Sequence, residues 1–248
     1  MGDRLKGEVA IVTGAAAGIG QAFSVAMAAE GASLVLADLV NADETVAKIE
    51  AVGGKAIAII ADVTDEAAMT SMASVAIEAF GKIDILVNNA GIYPLKSIEE
   101  TDLDTWNRII GINLTGTFLA TRAVVPSMKQ AGKGKIVNIS SGTFFMGTPG
   151  ASAYVATKGA VIGMARSLAS ELGGDGIQVN CIAPGLTTTP GVTGGIGNEM
   201  RDAVVTMQSV KRREVPEDMV GALLFLTSSD SDFMTGQVML VDGGAANN

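Results

Sequence analysis

Tyr154 and Lys158 stand four residues apart in a stretch with few helix breakers, so a helix would carry both side chains on one face. A nearby ammonium favours phenolate and is expected to draw the tyrosine's pKa down from about 10 toward neutrality. A phenol tuned in this way can give or take a proton near pH 7 without histidine, and this chain has no histidine at all. A lone Tyr-x-x-x-Lys also occurs on ordinary amphipathic helices, with the tyrosine at a core boundary and the lysine solvated. The surrounding sequence decides between the two.

Composition removes several classes of function. The 248 residues include 31 glycines, 48% hydrophobic residues and only 17% charged ones, which suits a large core with tight turns rather than disorder. A net charge of −9 argues against nucleic acid, whose affinity for proteins comes largely from Lys and Arg on phosphates. A single cysteine, Cys181, excludes an internal disulfide, and without histidine or a cysteine cluster no metal site is expected. No apolar signal region opens the chain and no run approaches membrane-spanning length, so no membrane partner and a reducing, cytoplasmic setting are expected.

The elements that must position the pair alternate in type. Strands are predicted at 8–13, 33–37, 56–61, 83–88, 135–140, 177–183 and 238–241. Helices are predicted at 18–30, 42–52, 65–80 with Thr64 as N-cap, 102–130, 153–172 with Ser152 as N-cap, and 216–227. Strands such as Ile83-Asp84-Ile85-Leu86-Val87 are apolar on both faces and belong in a parallel sheet covered on both sides. That pattern predicts an α/β doubly wound seven-stranded parallel sheet in one domain, with a nucleotide half at about 1–130 and a catalytic and substrate half at about 131–248. A TIM barrel is the rival, and the first turn separates them.

Strand 1 runs into Thr13-Gly14-Ala15-Ala16-Ala17-Gly18-Ile19-Gly20. Glycines there permit a tight turn, close approach of backbone to a pyrophosphate, and close helix–strand packing, while the helix N-terminus offers free N–H groups to phosphates. Asp38, eighteen residues beyond Gly20 and followed by Leu39, can accept bonds from the adenosine ribose and would repel a 2′-phosphate. No Lys or Arg occurs in 15–17 or directly after Asp38, so NAD (NADH) is favoured over NADP. Asp62, with Val63 after it, can bond the adenine amino group, and Asn88-Asn89-Ala90-Gly91 closes strand 4 with small and amide residues at a crevice. Asp38 as a helix cap, and Asn88 and Asn89 as turn residues, are the plainer readings of each alone.

Taken together, Thr13-Gly14-x-x-x-Gly18-Ile19-Gly20, Asn88-Asn89-Ala90-Gly91, Asn113, Ser141, Tyr154-x-x-x-Lys158 and Pro184-Gly185 resemble the short-chain dehydrogenase/reductase family in order and spacing, over nearly the whole chain. The resemblance implies hydride transfer between a nicotinamide and a carbinol carbon. It implies Tyr154 as proton donor and acceptor, Lys158 on the nicotinamide ribose, and Ser141 on the substrate oxygen. Asn113 would shape a helix kink and a water relay to Lys158. Pro184, Gly185, Thr187 and Thr189 would hold the nicotinamide carboxamide and a phosphate. Ser140 directly precedes Ser141, so family spacing alone chooses between them.

The substrate walls are expected from Tyr93-Pro94-Leu95, from Thr143-Phe144-Phe145-Met146, and from a glycine-bearing lid at 186–200 that includes Gly191, Gly194, Gly195 and Gly197. No Lys or Arg falls between Leu186 and Met200, which disfavours a strongly anionic substrate head. Similarity to the aryl-carbinol members of the family, 1-phenylethanol and pyridoxal 4-dehydrogenases, suggests an aromatic alcohol or ketone. A 3-oxoacyl carrier-protein reductase and a non-catalytic dinucleotide sensor are the alternatives. Helices 102–130 and 152–173 are apolar over more than one face, and family members pair such helices across twofold axes, so a homotetramer is expected.

Overall fold

The structure is a computed structural model that describes residues 2–193 and 195–246. The chain begins β1 (Val9–Thr13), α1 (Gly18–Ala29), β2 (Ser33–Asp38), α2 (Asp43–Ala51), β3 (Lys55–Ile60), α3 (Glu66–Phe80) and β4 (Ile85–Asn88). A long helical run follows as α4 (Leu103–Ile110), a π-helical turn (Gly111–Thr115) and α5 (Gly116–Ala131). After β5 (Gly134–Ile139) come α6 (Thr143–Met146), α7 (Ser152–Leu172) and β6 (Ile177–Pro184). Two short helices, α8 (Pro190–Thr193) and α9 (Asn198–Met207), then a 3-10 turn (Pro216–Met219) running into α10 (Val220–Thr227), lead to β7 (Val238–Val241).

All seven strands pair in parallel, in the order β3-β2-β1-β4-β5-β6-β7. The order reverses between β1 and β4, so the two chain directions diverge there and leave a crevice beyond the carboxyl ends of those strands. Alternate side chains of β1 feed two separate cores. Ile11 packs with Met69, Met72, Leu119, Val124 and Val161 from α3, α5 and α7, while Ala10 and Val12 pack with Phe23, Ile49 and Leu223 from α1, α2 and α10. Both faces are covered, as apolar strands of this kind require.

Local details depart from the sequence reading. Asp65, not Thr64, caps α3: its Oδ1 accepts from Ala67 N–H at 2.8 Å and Ala68 N–H at 3.3 Å, while the Thr64 hydroxyl turns back to Asp62. Ser152 is the first residue of α7, and Ala151 takes the cap position without a side-chain bond. The helix expected at 102–130 is interrupted by its π-helical turn, which surrounds Asn113. The run Leu103–Ala131 is, by length and composition, apolar enough to cross a membrane, contrary to expectation. In this fold it packs on α3, β4 and β5 as a core helix.

Candidate active site

The turn after β1 is built on close approaches. Gly14 has φ +65°, and a Cβ there would lie 2.9 Å from the Ala90 Cα. At Gly20 a Cβ would fall 2.1 Å from the Gly14 carbonyl oxygen. Asn89 holds the turn by donating its amide to Thr13 O and Gly14 O, at 3.0 and 2.9 Å. Thr13 Oγ1 accepts from the Asn89 and Ala90 N–H groups, both at 3.1 Å, which joins β1 to β4 across the crevice. The α1 N-terminus has neither a side-chain cap nor an acid in its first turn, leaving a positive end suited to phosphate.

Asp38, at the end of β2, accepts from Ala16 N–H at 2.9 Å and from Val40 N–H at 3.3 Å. It therefore braces the glycine turn rather than capping α2, where Asn41 Oδ1 instead accepts from Asp43 N–H. Leu39 is exposed. Asp62 Oδ1 accepts from Thr64 N–H and its hydroxyl, at 2.8 and 2.7 Å, and the Val63 side chain packs in the core against Gly116. Asn88 is buried and donates to Thr121 Oγ1 and Asn138 Oδ1, so it ties β4 to α5 and β5.

Tyr154, Lys158, Ser141 and Asn113 converge where β4, β5 and α7 meet. Lys158 Nζ donates to Ile139 O at 2.7 Å and lies 5.5 Å from the Tyr154 ring centre. Ser140 donates its hydroxyl to Lys158 O at 3.0 Å, which commits it to the α7 backbone. Ser141, by contrast, accepts from Thr143 N–H and the Thr143 hydroxyl at 3.2 and 2.9 Å beside the cavity. Both serines line the cavity, but only the Ser140 hydroxyl is spent on the α7 backbone. Asn113 Oδ1 accepts from Ile92 N–H at 2.9 Å, and its amide donates to Ile92 O at 3.0 Å and Thr157 Oγ1 at 3.3 Å. Gly91 lies over this group, with a Cβ position 3.3 Å from Asn113 Oδ1 and 3.6 Å from Lys158 Nζ. The π-helical turn is what swings Asn113 to this place, a common use of such turns at functional sites.

Electrostatics correct the first expectation. Burial pushes the Tyr154 phenol up to about 12, with the Ser141 hydroxyl pulling it back and Tyr93, edge-on at 4.5 Å, adding to the rise. Burial also pushes Lys158 down to about 8. Both charged forms are destabilised by the same low-dielectric setting, and this outweighs the attraction that spacing alone suggested.

One cavity of about 640 Å³ connects these parts. Its walls include Ala17, Gly18, Ile19, Asn89 and Gly91 from the glycine-turn side; Ser141, Tyr154 and Lys158; and Pro184, which ends β6, with Gly185, Thr187 and Thr189 after it. Tyr93, Thr143 and Met146, expected on the substrate side, line it as well. Phe145, expected there, packs against the core with Phe144 edge-on at 5.1 Å. Residues three apart share a side of the single turn α6, so Thr143 and Met146 face the cavity and Phe145 turns away.

Met200, the last residue of the expected lid, lines the far wall, and sequence reasoning missed Ala203, Val204 and Met207, which continue that wall along α9. Their spacing of three, four and seven from Met200 is the signal of an apolar helix face. The expected lid is partly helical, as α8 and α9, and Gly194 lies outside the described residues. Pro94 and Leu95 line an adjoining cleft of about 620 Å³ that also carries Lys96 and Arg108.

The geometry has relatives. A family profile described as enoyl-(acyl carrier protein) reductase matches residues 14–246. The chain is 41% identical over 244 residues to a 3-alpha-(or 20-beta)-hydroxysteroid dehydrogenase of Mycobacterium bovis, covering 98% of this chain and 91% of that protein. It is 38% identical over 243 residues to a 3-oxoacyl-[acyl-carrier-protein] reductase of Thermotoga maritima, covering 97% and 98%. The crystal structure of levodione reductase superposes with a TM-score of 0.92 at 30% identity, covering 96% of this chain and 97% of that one.

Proposed function

The chain belongs to the short-chain dehydrogenase/reductase family and is an alcohol/ketone oxidoreductase using a nicotinamide dinucleotide; from that premise we propose that it uses NAD and acts on a secondary alcohol or ketone with an aromatic or otherwise apolar body. The observation that carries this reading is the single cavity joining the glycine turn to Ser141, Tyr154 and Lys158, with Met146, Met200, Val204 and Met207 on its substrate side. The glycine positions that no Cβ could occupy and the uncapped α1 N-terminus fit a dinucleotide pyrophosphate. Asp38 at the end of β2 supports NAD, because a carboxylate repels a 2′-phosphate.

When bound, the cofactor supplies the hydride chemistry. Tyr154 accepts the hydroxyl proton during oxidation and returns it during reduction. Ser141 holds the reacting oxygen, and its bonds from Thr143 fix its direction. Lys158, held through Nζ by Ile139 O, places a cation beside the phenol as negative charge develops there. Asn113 positions the β4–α4 connection through Ile92 and reaches α7 through Thr157. The apolar wall favours an aryl or alkyl body and excludes water from the hydride path.

Purified protein is tested with NADH and NADPH against acetophenone, a cyclic ketone, an aliphatic ketone and an acetoacetyl thioester. Turnover of aryl ketones with NADH supports the reading, while turnover restricted to the thioester with NADPH replaces it with a 3-oxoacyl reductase. That second reading is favoured by Lys96 and Arg108 in the adjoining cleft, where an anionic tail would fit. The proposal extends to a cytoplasmic homotetramer. The free, buried Cys181 thiol supports a reducing setting, and exposed Leu103 and Phe118 on α4 and α5 support the assembly. A monomer by light scattering removes the assembly from the reading.

A further inference from the structure

Glu214 lies outside every strand and helix, beneath the segment 184–189 that follows β6. It is 4% exposed and is joined to that segment twice. Thr188 N–H donates to the Glu214 carbonyl at 2.8 Å, and the Thr187 hydroxyl donates to Glu214 Oε1 at 2.9 Å. Thr187 is itself buried, so its hydroxyl and the carboxyl meet away from bulk water. The second carboxyl oxygen, Oε2, is buried with no hydrogen-bond partner among the described residues. It presses on Gly185, where a Cβ would lie 2.5 Å away.

The charged groups around this carboxyl do not neutralise it. Asp218, in the 3-10 turn Pro216–Met219, and Asp242, just beyond β7, are both acids. Arg212 is the neighbouring cation, but its guanidinium is engaged by both oxygens of Asp218, at 2.6 and 2.5 Å. Asp242 is buried and accepts from Gly244 N–H and Ala246 N–H. Burial, with Asp218 and Asp242 adding to it, pushes the Glu214 carboxyl up to about 7, against the opposing pull of Thr187 and the Gly185 backbone. A carboxyl so placed is a neutral acid below neutrality and an uncompensated buried anion above it.

We propose that Glu214 is a proton-dependent positioning residue for the cofactor segment: as the neutral acid it packs stably beneath the Thr187 turn, and on losing its proton to solvent it becomes an uncompensated buried anion whose desolvation cost outweighs the Thr187 bond, which loosens that turn and weakens dinucleotide binding. The inference rests on the reading of 184–189 as the segment that holds the nicotinamide end. Pro184, Gly185, Thr187 and Thr189 all line the cavity, so displacing the backbone that Glu214 supports alters the cofactor's own wall. Glutamine at 214 would mimic the neutral acid, because its amide oxygen still accepts from Thr187 and it carries no ionisable proton.

The test is NADH affinity, measured by fluorescence titration from pH 6 to pH 9 on the native protein and on Glu214→Gln. In the native protein the Kd rises between pH 6 and pH 8, by about tenfold for each unit by which cofactor binding raises the carboxyl's pKa. Glu214→Gln loses that rise and holds near the native low-pH Kd. Lys158 titrates in both proteins, so the difference between the curves belongs to Glu214. Thr187→Val gives an independent arm. It removes a bond that favours the carboxylate, so the midpoint of the native rise moves to higher pH. Identical pH curves for native and Glu214→Gln proteins, or a Thr187→Val midpoint that stays or falls, overturn the proposal. NADH binding that is tight but insensitive to pH removes this inference alone. Absence of NADH binding at every pH removes the proposed function with it.

Discussion

Lys158 Nζ donates to the Ile139 carbonyl at 2.7 Å and stands 5.5 Å from the centre of the Tyr154 ring. The last residue of β5 therefore sets where the ammonium sits, and the tyrosine one helical turn earlier does not. The pair is prearranged by the sheet, with the phenol held neutral by burial and the ammonium retaining its charge near neutrality although burial lowers its pKa to about 8. Such an arrangement suits a proton donor that ionises only when the reacting oxygen demands it.

Tyr154→Phe is expected to bind NADH as the native protein does and to lose turnover by about 10²–10⁴-fold. NADH fluorescence titration alongside steady-state rates separates the two effects. Normal turnover in this variant refutes the assignment of the proton to Tyr154.

The rate of alcohol oxidation should rise with pH while that of ketone reduction holds level. Oxidation needs a phenolate to accept the proton, and the free phenol is pushed up to about 12, so the base form grows throughout the accessible alkaline range. Reduction needs the phenol, which stays almost fully protonated until the pH nears 12. A rising slope for oxidation beside a flat one for reduction, measured under saturating cofactor, checks the sign.

Asp38→Asn is expected to improve NADPH use relative to NADH by about tenfold or more, as removal of roughly 1.4 kcal/mol of like-charge repulsion requires. The carboxylate also accepts from Ala16 N–H, a bond that an asparagine oxygen can keep. The ratio of kcat/KM for the two cofactors is the measurement. An unchanged ratio places the origin of cofactor choice elsewhere.

Gly20→Ala should destabilise the protein and impair cofactor binding together. A Cβ would fall 2.1 Å from the Gly14 carbonyl oxygen and 2.6 Å from the Asn89 amide nitrogen, so the turn itself has to move. Overpacking of this kind costs about 1–3 kcal/mol. A lowered thermal midpoint accompanied by weaker NADH binding is the expected pairing, and a variant with native values for both contradicts the close packing at this turn.

Asp84, at the opposite end of the sheet from the cavity, offers an acid-stability test. Burial works to raise its pKa, but Lys82 at 2.8 Å, the Val9 N–H at 2.8 Å and Lys133 at 3.1 Å outweigh it and hold the carboxyl below its usual range. A carboxylate with a depressed folded pKa contributes stability above its unfolded value of about 3.9 and loses it as pH falls through the folded value. Asp84→Asn should therefore cost about 1–3 kcal/mol at pH 7, with the deficit shrinking toward pH 2. Urea unfolding at both pH values reads this directly.

The order of strands and helices, the glycine turn and the Tyr154–Lys158 spacing were all legible in the sequence, because each depends on local periodicity or on short-range backbone geometry. Local rules did not extend to the choice of Asp65 over Thr64 as cap, since both can cap and only the folded turn shows Thr64 bonded back to Asp62. They also could not orient the single turn α6, which sends Phe145 into the core and Thr143 to the cavity. The proton affinity of Tyr154 was misjudged for a related reason: spacing reveals the neighbouring charge, but desolvation is a property of everything packed around the phenol. Glu214 meets Thr187 across 27 positions of sequence, a contact no short-range pattern records. The sequence by itself determined which residues share an element and what chemistry they could perform. Only the tertiary structure decided which of them are desolvated, which oxygens find partners, and which faces meet in the cavity, because those depend on packing between elements distant in the chain.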